Sequence, residues 1–279
     1  MQLHRRQETM TGSSASSQQT SPSTSSTAAG ADSTALPTTA IDLPSPFDST
    51  MGNNFTSPDC PAFFQSFLTN DTFRQCLPLS LLLQTSAGFF AASRSPVLLA
   101  RTLDATCHVD PLLCTPLMAT LAASLQQDAN CGADLAMGNP TVLQAYNGLT
   151  AYQPVYQAGC LTDADGRYCF ANAIANTTAG GSSYVYYLPL GVPLPAGTVP
   201  ACDVCLQNTM AIFATAAGNR SSSLNDDYTA AAQQVDASCG PEFVEASVEM
   251  KSAGSAGAMM GGGVWALGVG LLVGGLLGA

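Results

Sequence analysis

Ten cysteines dominate the chemistry that this chain could offer: Cys60, Cys76, Cys107, Cys114, Cys131, Cys160, Cys169, Cys202, Cys205 and Cys239. Their number is even and they share one stretch of sequence, which in an oxidising compartment predicts up to five disulfides. The same residues in a cytosolic protein would be buried free thiols; parity and confinement favour disulfides. Cys202-Asp-Val-Cys205 has the CxxC spacing. A zinc site would need a second such pair or histidines, and the chain has only His4 and His108. A thioredoxin-like pair would need a βαβ setting, which the surrounding pattern lacks. On one turn of an amphipathic helix both cysteines face the core, so a structural role is expected.

The other candidates are weaker. His108, in Cys107-His-Val-Asp110, would have to serve any Ser-His-Asp or Cys-His catalyst in the domain. No GxSxG turn accompanies it, and its place between two helical patterns predicts a loop or surface histidine. Asp163-Ala-Asp165-Gly166 echoes the start of a calcium loop but lacks the third acidic ligand and the closing glutamate; a hairpin turn is the better reading. The tyrosines of SSYVYYLPLGVPLP are read as strand packing, with Tyr184 and Tyr186 on one side and Val185 and Tyr187 on the other. Glycosidase chemistry needs two acids in a cleft. Eleven aspartates between Cys60 and Gly240 offer many pairs and select none. No catalytic residue, metal or cofactor is expected.

Charge narrows the partners. The chain carries −11 over 279 residues, and charged residues make up only 10%. There is no basic footprint for nucleic acid. A charge-poor surface rich in Ser, Thr, Asn and Gln suits solubilisation by glycans. Four Asn-x-Ser/Thr sequons stand at Asn54, Asn70, Asn176 and Asn219, and their use requires a secretory route.

The C-terminal stretch points to the same route. Ser252-Ala253-Gly254 offers small residues, 255–263 a flexible spacer, and 264–279 an uncharged apolar end. This is the three-part pattern of a signal exchanged for a glycolipid (GPI) anchor, with attachment at Ser252 or, alternatively, Gly254. As a retained helix the apolar end would reach about 24 Å, short of the roughly 30 Å hydrocarbon core. No basic residue follows Lys251, and Gly270-x-x-x-Gly274 is read as incidental in so glycine-rich a segment. The membrane, through the lipid anchor or this segment, is therefore an expected partner. The opening MQLHRRQETMTGSS carries no apolar leader. The natural start is expected upstream, with Arg5-Arg6 resembling a dibasic processing site; a tail-anchored cytosolic protein and a mitochondrial transit peptide are the alternatives.

The elements that hold the cysteines are helical. Residues 1–55 form a disordered arm, with sixteen Ser or Thr between 11 and 40; such composition buries too little apolar surface to fold. The cysteine-rich domain is expected over 56–246, with a linker and attachment region at 247–263 and the apolar signal tail at 264–279. Phe63, Phe64 and Phe67 share a helical face. Ser95-Pro96, Thr115-Pro116 and Asn139-Pro140 are helix starts. Met118, Leu121, Ala122 and Leu125 form one face. Cys160–Phe170, with Asp165-Gly166 at its centre, predicts a small β-hairpin that Cys160 and Cys169 could close, although either could pair elsewhere. Two helices end the domain: Cys202, Cys205, Thr209, Ile212, Phe213 and Ala216 share a face in the first. Ser223 caps the second, where Tyr228, Ala231, Val235 and Cys239 point inward. The expected fold is mostly α, a disulfide-stapled bundle of short helices with one β-hairpin, each disulfide contributing about 2–4 kcal/mol.

Several motifs are long enough to resemble a known family: NCGAD, LQAYNGLTAY, YQAGCLTDADGRYCF, YYLPLGVPLP, CDVCLQNTMAIFATAAGN and AAQQVDASCGPEF. They look like a fungal family of cysteine-rich, predicted GPI-anchored surface proteins catalogued as a domain of unknown function. The resemblance covers about Cys60–Glu245 and implies secretion and anchoring, with no catalytic residue to carry over. The expected function is that of a non-enzymatic GPI-anchored glycoprotein on the outer face of the plasma membrane or in the cell wall, structural or adhesive, with cell-wall glycans as further partners. A binding module for a lipid, sterol or haem and a wall-glycan-acting enzyme are the alternatives.

Overall fold

The computed structural model describes residues 42–49, 51–219 and 222–248. Thirteen helices make up the architecture of these residues, and no sheet forms among them. The helices α1 (Asp59–Leu68), α2 (Asp71–Cys76), α3 (Leu79–Thr85) and α4 (Ala87–Ala92) follow one another with short turns. They are followed by α5 (Pro96–Cys107), α6 (Pro111–Leu125), α7 (Gly132–Ala136), α8 (Pro140–Thr150), α9 (Tyr152–Gly159) and α10 (Cys169–Ala175). A 3-10 helix, Ser182–Leu190, precedes α11 (Val204–Ala217) and α12 (Leu224–Cys239).

Local chemistry explains most of these starts. Ser95 and Asn139 each cap a helix whose first residue is proline, accepting from the Leu98 amide and from the Thr141 and Val142 amides. Asn70, Ser86, Asp110 and Asp203 cap α2, α4, α6 and α11 in the same way. Each cap satisfies an amide that a bare helix end leaves unpaired. Two expected starts differ. Thr115-Pro116 lies inside α6, which already begins at Pro111. The amide that Pro116 lacks would have reached the carbonyl of Leu112, an exposed residue, so water can take its place. Ser223 stands at the N-cap of α12 but its side chain accepts no capping hydrogen bond; the Ser222 hydroxyl accepts from the Leu224 amide instead.

The β-hairpin is not formed. One antiparallel bridge, Thr162 with Tyr168, closes the Asp163–Arg167 turn, and the Cys169 amide donates to the Leu161 carbonyl. The link between α9 and α10 is too short for a second pair of rungs, because Cys169 already begins a helix. The stretch expected to be extended, Ser182–Leu190, is helical as well. Its buried positions, Ser182, Val185 and Leu188 with Tyr186 and Pro189, recur every three residues, the period of a 3-10 helix. Tyr184 is therefore 47% exposed and Tyr186 2%, not partners on one face. The arm expected to run through residue 55 also packs from Asp42 onward. Pro44 and Pro46 are buried, the Phe47 ring meets Phe64 edge-on at 5.1 Å, and the Asp48 carboxylate accepts from the Ala87 and Gly88 amides at 2.7 and 2.9 Å.

Two apolar clusters make the core. Phe64, Phe67, Phe73, Met118 and Val142 belong to one; Leu103, Phe170, Tyr186, Phe213 and Tyr228 belong to the other. α3 is the wall they share: it gives Leu81 to the first and Leu79, Leu82 and Leu83 to the second. All five residues from Leu79 to Leu83, four leucines and the small Ser80, are buried, as a helix apolar on nearly every side must be. α8 and α9 flank it closely. A Cβ on Gly148 of α8 would strike the Leu81 side chain and lie 3.3 Å from its Cα, whereas a Cβ on Gly159 of α9 would meet only the Leu79 methyl, at 2.6 Å. Alanine is better than glycine inside a helix by about 1 kcal/mol, while overpacking costs about 1–3 kcal/mol. The backbone of α3 cannot retreat but the end of Leu79 can rotate. Gly148→Ala is therefore expected to lower stability by about 1 kcal/mol or more, and Gly159→Ala to change it by less than about 0.5 kcal/mol, as read by urea denaturation. Equal effects of the two would contradict this packing.

Candidate functional site

All ten cysteines are bonded: Cys60–Cys131, Cys76–Cys114, Cys107–Cys160, Cys169–Cys205 and Cys202–Cys239. Cys160 and Cys169 do not pair with each other. The first two bonds tie α1 to the start of α7 and α2 to α6; the last two tie α10 to α11 and the residue before the Asp203 cap to the end of α12. Cys107–Cys160 joins the end of α5 to the end of α9. The CxxC residues do not lie together on one inward face, as the sequence led us to expect. Cys202 stands outside α11 and is exposed, Cys205 is half-buried, and they enter different bonds. Closing loops of 36 to 71 residues removes chain entropy from the unfolded state, on the order of 4 kcal/mol for one bond considered alone.

The groups that could have carried a reaction are otherwise engaged. His108 is exposed, and its Nδ1 meets the backbone carbonyl of Asp104 at 2.6 Å. A carbonyl only accepts, so Nδ1 carries the proton. Beside it, Tyr168 donates to Asp104 Oδ1 at 2.8 Å; partial burial, then this bond and the carboxylate charge, push the phenol up to about 12. The carboxylate of Asp163 accepts from the amides of Asp165 and Arg167, from Arg167 Nε and from Asn172 Nδ2. The Arg167 amide bond leads in holding its pKa below the usual range. The guanidinium sits where a calcium ion would have to, so this is a clasped turn. Among the described residues no cluster of three His, Cys, Asp or Glu is placed to hold a metal.

Asp134 is the acid that the sequence left unnoticed. It is 1% exposed and accepts from the Thr56 and Ser57 amides at 2.7 and 3.3 Å. Asn139 Nδ2, one helix later, donates to the Asn54 carbonyl at 2.7 Å. These bonds moor the segment that leads into Cys60. Burial alone would raise the Asp134 pKa, but the combined hydrogen bonds of Thr56, Ser57 and Asn139 outweigh it and the net shift is downward. A carboxyl lowered on folding adds stability above its unfolded value of about 4, and that contribution is lost as pH falls through the lower folded value. Asp134→Ala is expected to cost about 1–3 kcal/mol at pH 7. Chemical denaturation at a series of pH values should show the gap to the parent protein closing at strongly acid pH; a gap independent of pH would refute the assignment.

A cleft enclosing about 50 Å³ opens between α10, the 3-10 helix and the start of α11. One wall consists of Cys169, Asn172 and Ala173 from α10 and its extended C-cap residue Asn176, spaced i, i+3, i+4 and i+7 in the sequence. Asp203 from the CxxC segment faces them. Its place before an apolar helix marked it as a cap, which it is, with Oδ1 accepting from the Leu206 amide at 2.8 Å. A second, shallow groove of about 280 Å³ lies along Phe47, Met51, Gln84 and Phe90. Asp203 is the single carboxylate lining either cleft, so neither offers the acid pair of a glycosidase. The first is too small to enclose a haem or sterol, for which about 300 Å³ or more is usual.

Of the sequon asparagines, Asn54, Asn70 and Asn219 are exposed and Asn176 is half-buried. The attachment residues Ser252 and Gly254 and the tail 264–279 lie outside the described residues, as does the arm up to 41. Among the described residues no helix is long and apolar enough to cross a membrane. The family described as Domain of unknown function (DUF7729) matches residues 42–248, which coincides with the packed region beginning at Asp42. No curated protein and no solved structure matches the chain.

Proposed function

The chain belongs to the DUF7729 family, and on that footing we propose that it is a non-enzymatic glycoprotein of the fungal cell surface, held by a GPI anchor at Ser252 or Gly254. The observation that carries the reading is the closure of all ten cysteines into five bonds between separate segments of the chain. Such bonds form and persist in oxidising surroundings, extracellular or secretory. The three-part pattern of 252–279 supports attachment by lipid, and three exposed sequons with a fourth half-exposed support glycosylation. A domain whose polar groups are spent on caps and clasps suits a structural or adhesive role at the membrane or in the wall, with wall glycans as partners. The test is release of the native protein from intact membranes by a phosphatidylinositol-specific phospholipase. The released protein is expected to lack the peptide containing Trp265. Retention in the membrane with that peptide still attached would refute the anchor.

A further inference from the structure

The cleft beside α10 contains one of the four sequon asparagines. Asn176 Oδ1 accepts from the Thr178 and Ala179 amides at 3.0 and 2.9 Å, which fixes the side-chain amide with its oxygen turned to the backbone. Its Nδ2, the atom an oligosaccharide is joined to, donates to none of the described residues, and Asn176 is itself part of the cleft wall.

The polar groups of the cleft beyond Asn176 are partly committed. Ser182 Oγ is spent, donating to the Ala179 carbonyl and accepting from the Ala201 amide. Tyr186 and Thr209 share a bond at 3.3 Å that uses one of their two hydroxyl protons. Asn172 commits one Nδ2 hydrogen to Asp163, leaving the second and the Oδ1 acceptor. Asp203 uses Oδ1 to cap α11, leaving Oδ2. The acceptors left over, Asn172 Oδ1 and Asp203 Oδ2, stand beside the remaining Asn172 N–H and one hydroxyl of the Tyr186–Thr209 pair, against the apolar walls of Ala173, Val185 and Leu206. An anion would be repelled by Asp203. An N-acetylhexosamine matches this mixture: hydroxyl and acetamido N–H donors for Asn172 Oδ1 and Asp203 Oδ2, a carbonyl and ring oxygens for the remaining donors, and a methyl and a C–H face for the apolar wall. The cleft's volume of about 50 Å³ admits the acetamido group, with the sugar ring lying over its mouth.

The geometry points to this cleft as a seat for the innermost sugar of a glycan on Asn176, so that this glycan is packed against the domain while those on Asn54, Asn70 and Asn219 extend into solvent. The inference rests on the secretory reading given above. It would explain why one sequon is half-buried, since the sugar is added before the chain folds and then closes over the cleft.

The experiment is to secrete the full chain from a eukaryotic host, map glycan occupancy at the four asparagines by mass spectrometry, and follow removal by an endoglycosidase under native conditions. Asn176 is expected to be occupied and its glycan removed about tenfold more slowly than those on Asn54 and Asn70, the factor that roughly one net hydrogen bond supplies. Asp203→Ser keeps a good helix cap but removes the spare carboxylate oxygen, and is expected to bring the Asn176 rate up toward the others. Absence of glycan at all four sequons would overturn the secretory reading, and the seat with it. Occupancy elsewhere with Asn176 bare, or equal removal rates at Asn176 and the exposed sites, would overturn the seat alone.

Discussion

The fold depends on a helix whose first five residues have no outer face. Leu79–Leu83 are surrounded, so this part of α3 cannot form a surface and its neighbours must be arranged around it, while Gln84 and Thr85 at its end are half-buried. The transfer of such leucines from water is worth about 1.5–3 kcal/mol each, but only if α8 and α9 come close enough to exclude solvent. Gly148 and Gly159 permit that approach. The two apolar clusters are thereby one core divided by a shared helix, and what disturbs α3 is felt by both.

Around this core the few charged groups act as fasteners. Asp48 holds the start of α4, Asp134 the approach to α1, Asp163 the turn between α9 and α10, and Asp203 the start of α11. Each carboxylate accepts from backbone amides that have no other partner, a stronger bond than a neutral one. At the starts of α4 and α11 the helix adds a partial positive charge to the amides it presents, while at Thr56–Ser57 and in the Asp163 turn the amides act alone. These four acids therefore each have a local structural cause.

Much of this was legible in the sequence where the signal was local. Ser95-Pro96 and Asn139-Pro140 gave helix starts because a cap and a first-turn proline act within one turn. The Phe64 and Phe67 face was visible for the same reason. The signals failed where two periods fit one short run. In Ser182–Leu190 the aromatic and aliphatic residues satisfy alternation as well as a three-residue repeat, and packing on α10 and α12 decides for the latter. Asp165-Gly166 specified a turn correctly, but the strands it seemed to join are consumed by the adjoining helices. Cysteine pairing was not legible at all, since it depends on which helices meet. Nor was the role of Asp134, whose partners at Thr56 and Ser57 lie 78 and 77 residues away.

The connectivity of the sulfurs has a consequence for how the chain is made. Cys60 must wait for Cys131, 71 residues later, while Cys76, Cys107 and Cys114 emerge between them. Not one cysteine bonds to the next in line. A chain oxidised in the order of its synthesis would therefore join the wrong neighbours, including the adjacent Cys202 and Cys205. Native pairing therefore needs either folding ahead of oxidation, so that burial of α3 brings the right sulfurs together, or exchange of early bonds for native ones.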